Sequence, residues 1–396
     1  MRFTRWSWSP NRWRSERVSE TVLIVDDQAE VADGIAAALM RAGRQVIVCY
    51  DAESAQLVVE TIPVFAVISD VRLTGPFRFE GLDFLDHLAR HAPEARVALV
   101  SGMVTPELEV ESLRRGAIAV LQKPFEIADI ENILASGNGS GDATLVRIPT
   151  LDEIIGRGVV RTRFQPIVRV ATEEVMGFES LAGITIESFL ARPDLLFLYA
   201  ERKGRVIDLE LTCMVSALRS GAALREQGRL FMNLHPAVLG SGERVREALT
   251  IEAARWGIPL RCIVLELTEQ AALGKDDAVL EAIDDLRERG IRFAFDDVGM
   301  AYSHLPAIER VRPSYLKVSQ HFGSGFEADP TRTKLVRSIL SLARDFDAEL
   351  ILEGIETKAT ADAAQEMGIP LGQGFYYATP GSAEAALRFA REHRRS

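Results

Sequence analysis

The sequence has few cysteines, no long apolar run and no excess of basic residues, and each shortage closes off a class of function. The three cysteines, Cys49, Cys213 and Cys262, stand too far apart for a zinc knuckle or a disulfide framework, which fits a reducing cytoplasm. No apolar stretch approaches the ~18 residues that cross a bilayer, so no stable membrane insertion is expected. The net charge is −11, and an acidic body argues against nucleic-acid binding that rests on counterion release. Near the start, five arginines are interleaved with Trp6, Trp8 and Trp13, without the apolar region or cleavage site of an export signal. Residues 1–20 are expected to be a basic, disordered tail.

What is present has the composition of an ordinary globular protein, and 396 residues exceed a single hydrophobic core, so at least two domains are predicted. The clearest break is the Gly/Ser-rich run SGNGSGDAT, which places a flexible linker at 136–149. Before it, at 21–135, apolar runs such as VLIV (Val22 to Val25), FAVIS (Phe65 to Ser69), VALVS (Val97 to Ser101) and AVLQ (Ala119 to Gln122) alternate with helical patterns. That alternation predicts an α/β domain with a doubly wound, flavodoxin-like parallel sheet. After the linker, at 150–396, strand candidates recur at Phe164, Val175, Leu230, Ile263, Phe293, Tyr315, Leu350 and Phe375. Eight strands with helices between them predict a (β/α)8 TIM-like barrel.

Polar residues cluster where the apolar strands end. In the first domain these are Asp26, Asp27, Asp70, Ser101 and Lys123, which strand-end geometry would bring into one crevice. Three carboxylates together repel one another unless a cation sits among them, and all-oxygen ligation suits one Mg²⁺ or Mn²⁺. Asp70 can then attack a phosphoryl group, with Lys123 balancing the added charge and Ser101 donating a hydrogen bond. Each of these residues alone also reads as a helix cap or turn residue.

In the second domain the strand ends carry Glu179, Asn233, Glu266, Asp296, Asp297, Lys317 and Glu353, with Gln373 just before the last strand. Five carboxylates in one barrel mouth require cations, and the lack of His and Cys among them points to two hard ions, Mg²⁺ or Mn²⁺. Lys317 would steady the attacking water or the developing charge, and Glu353 would be a further ligand or the general base. Capping after strands is the competing reading for any one of them.

The ordered set ending in KPF at Lys123 to Phe125 resembles the response-regulator receiver family over about residues 21–135. The resemblance implies Asp70 as phosphoacceptor, Asp26 and Asp27 as metal ligands beside it, and Ser101 and Lys123 as a switch pair. Val120 stands where that family has its switching aromatic.

The rest resembles the EAL family of cyclic di-GMP phosphodiesterases over about residues 150–387. It does so through QPIV (Gln165 to Val168), GFESL (Gly177 to Leu181), MNLHP (Met232 to Pro236), LELTE (Leu265 to Glu269), FAFDDVG (Phe293 to Gly299), YLK (Tyr315 to Lys317), EGIET (Glu353 to Thr357) and GQGF (Gly372 to Phe375). The resemblance implies hydrolysis of cyclic di-GMP to linear pGpG, with Lys317, Glu353 and Asp297 catalytic. Metal would be held by Glu179, Asn233, Glu266, Asp296, Asp297 and Glu353, and substrate by Gln165, Glu179 and Gln373. Glu269 and Glu356 would anchor the loop after the paired aspartates.

Four positions depart from the EAL pattern: ESLAGITIE has no arginine after the signature, Met300 and Ala301 occupy the loop, and Ser319 follows the lysine in place of an aspartate. The alternative to a phosphodiesterase is therefore a weak or inactive EAL domain serving as a cyclic di-GMP receptor or interaction module. No GGDEF-like segment is present, which excludes a diguanylate cyclase. The combined resemblance implies a cytoplasmic two-component response regulator, with a sensor histidine kinase or phosphotransfer protein as donor and a homodimer or higher homo-oligomer as the assembly.

Overall fold

The computed structural model describes residues 21–41, 44–73, 80–134, 144–186, 188–239, 242–268, 277–299 and 304–394. The tail at 1–20, residues 136–143 of the expected linker, Glu269, Met300 and Ala301 lie outside the described residues. Two compact units emerge among the described residues, one holding Thr21 to Val159 together with Ile186–Gly204, the other holding Val160–Thr185 and the residues from Arg205 onward.

The first unit begins with β1 (Thr21–Val25), α1 (Ala29–Arg41), β2 (Gln45–Cys49), α2 (Ala52–Thr61), β3 (Ala66–Asp70) and α3 (Glu80–His91). It continues through β4 (Arg96–Ser101), α4 (Pro106–Arg114), β5 (Ala119–Gln122), α5 (Ile127–Leu134) and β6 (Thr144–Arg147). The sheet order is β5-β4-β3-β1-β2-β6, and every pairing is parallel. Buried on both faces, β1 and β3 are continuous apolar runs rather than alternating ones, as a sheet covered by helices requires. Val22, Ile24, Ile68 and Val100 pack against Leu39, Ile130 and Leu134.

Thr144–Arg147 corrects the expected linker: the segment pairs with β2 in the register Gln45↔Thr144 to Val48↔Arg147. Leu145 packs on the sheet core, and the Ile148 amide donates to the Val48 carbonyl at 2.9 Å. The composition of the preceding Gly/Ser run hid a strand too short for a visible apolar period. The helix α6 (Leu151–Gly156) follows, closed by a reciprocal capping box between Thr150 and Glu153.

The barrel unit is built from β7 (Val160–Arg169), β8 (Val175–Ile184), β9 (Arg229–Leu234), β10 (Ile263–Thr268), β11 (Arg292–Val298), β12 (Tyr315–Val318), β13 (Glu349–Leu352) and β14 (Leu371–Gly372). These close in the order β10-β11-β12-β13-β14-β7-β8-β9. Two details differ from the expected barrel. First, β7 is antiparallel to both β8 and β14, because the short connection Val170–Glu174 can join only a hairpin, whereas a parallel pair needs a crossover of a dozen or so residues. Second, the last strand is Leu371–Gly372 and not the segment at Phe375, where Phe375 and Tyr376 lie in turns and are exposed.

Between β8 and β9, α7 (Pro193–Arg202) belongs to the first unit and α8 (Val206–Gly221) to the barrel. Within the first unit α7 meets α2: the Tyr199 hydroxyl donates to Asp51 Oδ2 at 2.5 Å, and Arg202 pairs with Glu60 at 2.8 Å.

One residue from every barrel strand, namely Ile167, Met176, Phe231, Val264, Ala294, Tyr315, Ile351 and Leu371, forms a buried apolar layer. This layer closes the barrel floor and fixes which residues stand above it.

Candidate functional site

Side chains two apart on a strand share a face, so the residue two positions beyond each floor residue must project into the same lumen, one layer higher. Two beyond Phe231, Val264, Ala294, Tyr315, Ile351 and Leu371 come Asn233, Glu266, Asp296, Lys317, Glu353 and Gln373. On the reversed strand β7, the corresponding residue precedes Ile167 by two and is Gln165. Glu179 lies three beyond Met176, and the register shift of the β7–β8 pair between Ile167 and Val168 brings it opposite Gln165. The apolar floor thus becomes a polar layer in one step along the strands.

Lys317 is the centre of that layer. Its Nζ lies 2.9 Å from Glu266 Oε1, 2.9 Å from Glu353 Oε1, 3.4 Å from Asp296 Oδ1 and 3.5 Å from Glu179 Oε1, and its side chain is fully buried. Burial alone would depress its ammonium, but Asp296, Glu179, Glu266 and Glu353 outweigh burial and hold it well above the usual lysine range. Burial also drives Glu266 up and takes Glu353 to about 8, with Lys317 opposing and the neighbouring carboxylates reinforcing. One cation does not neutralise this layer.

Adjacent residues of a strand normally face opposite ways, yet Asp296 and Asp297 serve one mouth. The β11–β12 register shifts between Phe295 and Val298, and Asp297 adopts a left-handed backbone with φ 55°. Such bulges re-aim side chains beside active sites. As a result carboxylate oxygens of Asp296, Asp297 and Glu353 come within 4.8 Å of one another. On the opposite wall, Gln373 donates to Gln165 Oε1 at 3.0 Å and to Glu179 Oε2, while Gln165 Nε2 donates to the Ala378 carbonyl at 3.1 Å.

The donor set fits hard divalent cations. Both carboxylate oxygens of Glu266 and the Gln373 Oε1 are buried without a hydrogen-bond donor, the condition of atoms that await a cation. The nearest cation, Lys317, is at ion-pair distance from Glu266 but not in hydrogen-bonding alignment.

In the first unit Asp27, Asp70, Ser101 and Lys123 line one cleft of about 470 Å³ together with Arg72 and Met103. Lys123 Nζ reaches Asp26 Oδ2 at 2.7 Å and Asp70 Oδ2 at 2.5 Å, and oxygens of Asp26, Asp27 and Asp70 lie within 4.8 Å of one another. Burial raises Asp26 against the pull of Lys123, and burial with the charge of Asp70 raises Asp27. The Ser101 hydroxyl is turned to the Met103 carbonyl at 2.8 Å.

Glu356 is exposed and accepts from Gln320 Nε2 at 2.9 Å, and its expected loop partner Glu269 lies outside the described residues. Ser319 is fully buried and caps the short helix Gln320–Gly323. Sequence reasoning passed over Glu210, a buried carboxylate on α8 that accepts from the His235 amide at 2.9 Å, just beyond Asn233. Its signal was a carboxylate inside the apolar pattern VIDLELTCMVSAL.

Residues 150–380 match the EAL domain family and residues 22–135 the response regulator receiver domain. The cyclic di-GMP phosphodiesterase RocR of Pseudomonas aeruginosa is 24% identical over 331 residues, which cover 79% of this chain and 83% of RocR. The probable cyclic di-GMP phosphodiesterase PdeG of Escherichia coli is 27% identical over 58% of this chain, which spans 46% of PdeG. Among solved structures, the PaMucR phosphodiesterase in complex with c-di-GMP superposes with a TM-score of 0.52 at 24% identity, over 58% of this chain and 99% of that one. The EAL enzyme Bd1971, bound to cAMP and cyclic di-GMP, gives a TM-score of 0.56 at 23% identity, over 61% of this chain and 68% of that one. Among the described residues no helix is long and apolar enough to cross a membrane. The match over more than half of its length assigns the chain to the EAL domain family, with a response regulator receiver domain ahead of the barrel.

Proposed function

We propose that the protein is a cyclic di-GMP phosphodiesterase, controlled by its receiver, that yields linear pGpG. The observation that carries the proposal is the buried layer in which Lys317 meets Glu179, Glu266, Asp296 and Glu353, donated by five different strands. Glu179, Asn233, Glu266, Asp296, Asp297 and Glu353 would hold Mg²⁺ or Mn²⁺. Such ions, when bound, neutralise phosphodiester oxygens and acidify water.

The chain's own groups supply the rest. Lys317, held charged by its neighbours, steadies negative charge at the floor of the site without moving, because its side chain is enclosed. Glu353 takes the proton of the attacking water. The Gln165–Gln373 pair fixes Glu179 and offers amide groups to the substrate on the wall facing Asp296 and Asp297. In the receiver, Asp70 accepts a phosphoryl group from a histidine kinase or phosphotransfer protein. Lys123 then balances the added charge, and Ser101 turns from the Met103 carbonyl toward the new oxygens.

Purified protein incubated with cyclic di-GMP and Mg²⁺ or Mn²⁺ should release pGpG, and Glu179→Ala and Asp296→Ala should abolish release while retaining fold by circular dichroism. Acetyl phosphate should label the parent once and Asp70→Ala not at all. Tight binding of cyclic di-GMP with no turnover under either metal would instead assign the receptor reading.

A further inference from the structure

The receiver carries a second group of metal-capable side chains, separate from the aspartate cleft and of different chemistry. His87 and His91 sit four apart on α3 and so occupy one face of the helix, beside Glu60 near the end of α2. His87 Nε2 lies 3.0 Å from Glu60 Oε1, the two imidazoles stack with centroids 4.3 Å apart, and one ligand atom from each of the three residues falls within 4.8 Å of the others.

Two features separate this group from a chance surface cluster. His87 is only 9% exposed, and its buried Nε2 has no hydrogen-bond partner although it lies 3.0 Å from the Glu60 carboxylate. A buried ring nitrogen 3.0 Å from a carboxylate but out of line for a hydrogen bond with it is an unsatisfied group in an otherwise packed helix pair. Glu60 is itself oriented from behind, since Arg202 Nη2 contacts its Oε2 at 2.8 Å and its Oε1 at 3.0 Å. Carboxylates that ligate metals are commonly held by such a partner.

We propose that His87, His91 and Glu60 form a site for an imidazole-preferring divalent transition ion, zinc in the first place. Two imidazoles and one carboxylate are a ligand set of zinc sites that leave a position open to water. They are a poor set for Mg²⁺, which demands oxygen ligands in near-octahedral array. His91 is exposed and must turn its ring out of the stack with His87 to reach the ion, while His87 and Glu60 supply the fixed half of the site.

The test is calorimetric titration of the chelator-stripped full chain with Zn²⁺ in excess Mg²⁺, which occupies the oxygen-only sites. The parent should bind one zinc that Mg²⁺ does not displace. His91→Ala and Glu60→Gln, both at accessible positions, should each weaken that binding by about 10-fold or more. Cu²⁺ bound in place of zinc should show resonance couplings to two imidazole nitrogens in the parent and to no more than one in His91→Ala. A parent that takes up no zinc in excess Mg²⁺, or an affinity unchanged in both variants, overturns the proposal. Loss of a second nitrogen coupling without loss of helical signal supports it and excludes simple unfolding.

Discussion

Gly323 is packed so tightly against Glu353 that a Cβ on the glycine would stand 1.9 Å from the Glu353 carbonyl oxygen. No side chain can enter that gap, so Gly323→Ala must push the backbone at the end of β13 and move the Glu353 carboxylate out of the layer around Lys317. We expect a stability loss of roughly 1–3 kcal/mol, typical of overpacking, with a larger proportional loss of hydrolysis. Gly34 on α1 is the control: nothing lies within 4 Å of its added Cβ, and Gly34→Ala should stabilise by about 1 kcal/mol without touching activity. Thermal melts paired with pGpG release distinguish the two.

Lys317→Ala should show that the lysine and the cations share one task. Removing it leaves Glu179, Glu266, Asp296 and Glu353 uncompensated in a buried layer, at a cost of roughly 3–5 kcal/mol. In chelator the melting temperature should fall sharply. Mg²⁺ should recover part of the loss, more than it raises the parent, but should not recover hydrolysis.

Glu210 gives a pH signature. Burial raises its carboxyl from 4.5 to about 7, against the opposing hydrogen bond from the His235 amide. Between those values the folded chain keeps a proton that the unfolded chain has released, so the stabilising contribution is full below 4.5 and is lost as pH rises through about 7. The shift corresponds to about 3 kcal/mol at most. Glu210→Gln keeps the acceptor oxygen for His235 and removes the titration. The variant should therefore melt higher than the parent at pH above 7 and differ little below 4.5.

The positions of Glu266, Asp296, Lys317 and Glu353 were legible because each follows an apolar run that ends abruptly in charge, and a strand fixes direction by parity. Parity also contained the floor layer, but Ala294 and Tyr315 are not recognisable as interior without knowing that the sheet closes. The hairpin direction of β7 was legible too, in the shortness of Val170–Glu174. Neither β14, a pair of residues one of which is a glycine, nor β6, four residues after a Gly/Ser run, contains enough period to be read. That Ile186–Gly204 packs with the receiver rather than with the barrel depends on long-range partners such as Asp51 and Tyr199, which no local pattern announces.

Asp297 separates charge from backbone shape. Asn accepts left-handed angles nearly as well as Asp, whereas a β-branched residue does not. Asp297→Asn should lose hydrolysis while keeping its melting temperature. Asp297→Val should lose hydrolysis and also roughly 1–3 kcal/mol of stability.

The sixth strand bears on how this protein can be cut. A receiver fragment ended at residue 135, where the family match stops, would strip β6 from the sheet and leave the amides and carbonyls of β2 as an open edge. Such a piece should associate with itself through that edge and be harder to keep monodisperse. A fragment extended through α6 retains the pairing, the Ile148 amide bond to Val48 and the Thr150 cap, and gives up the contacts that α7 makes with α2.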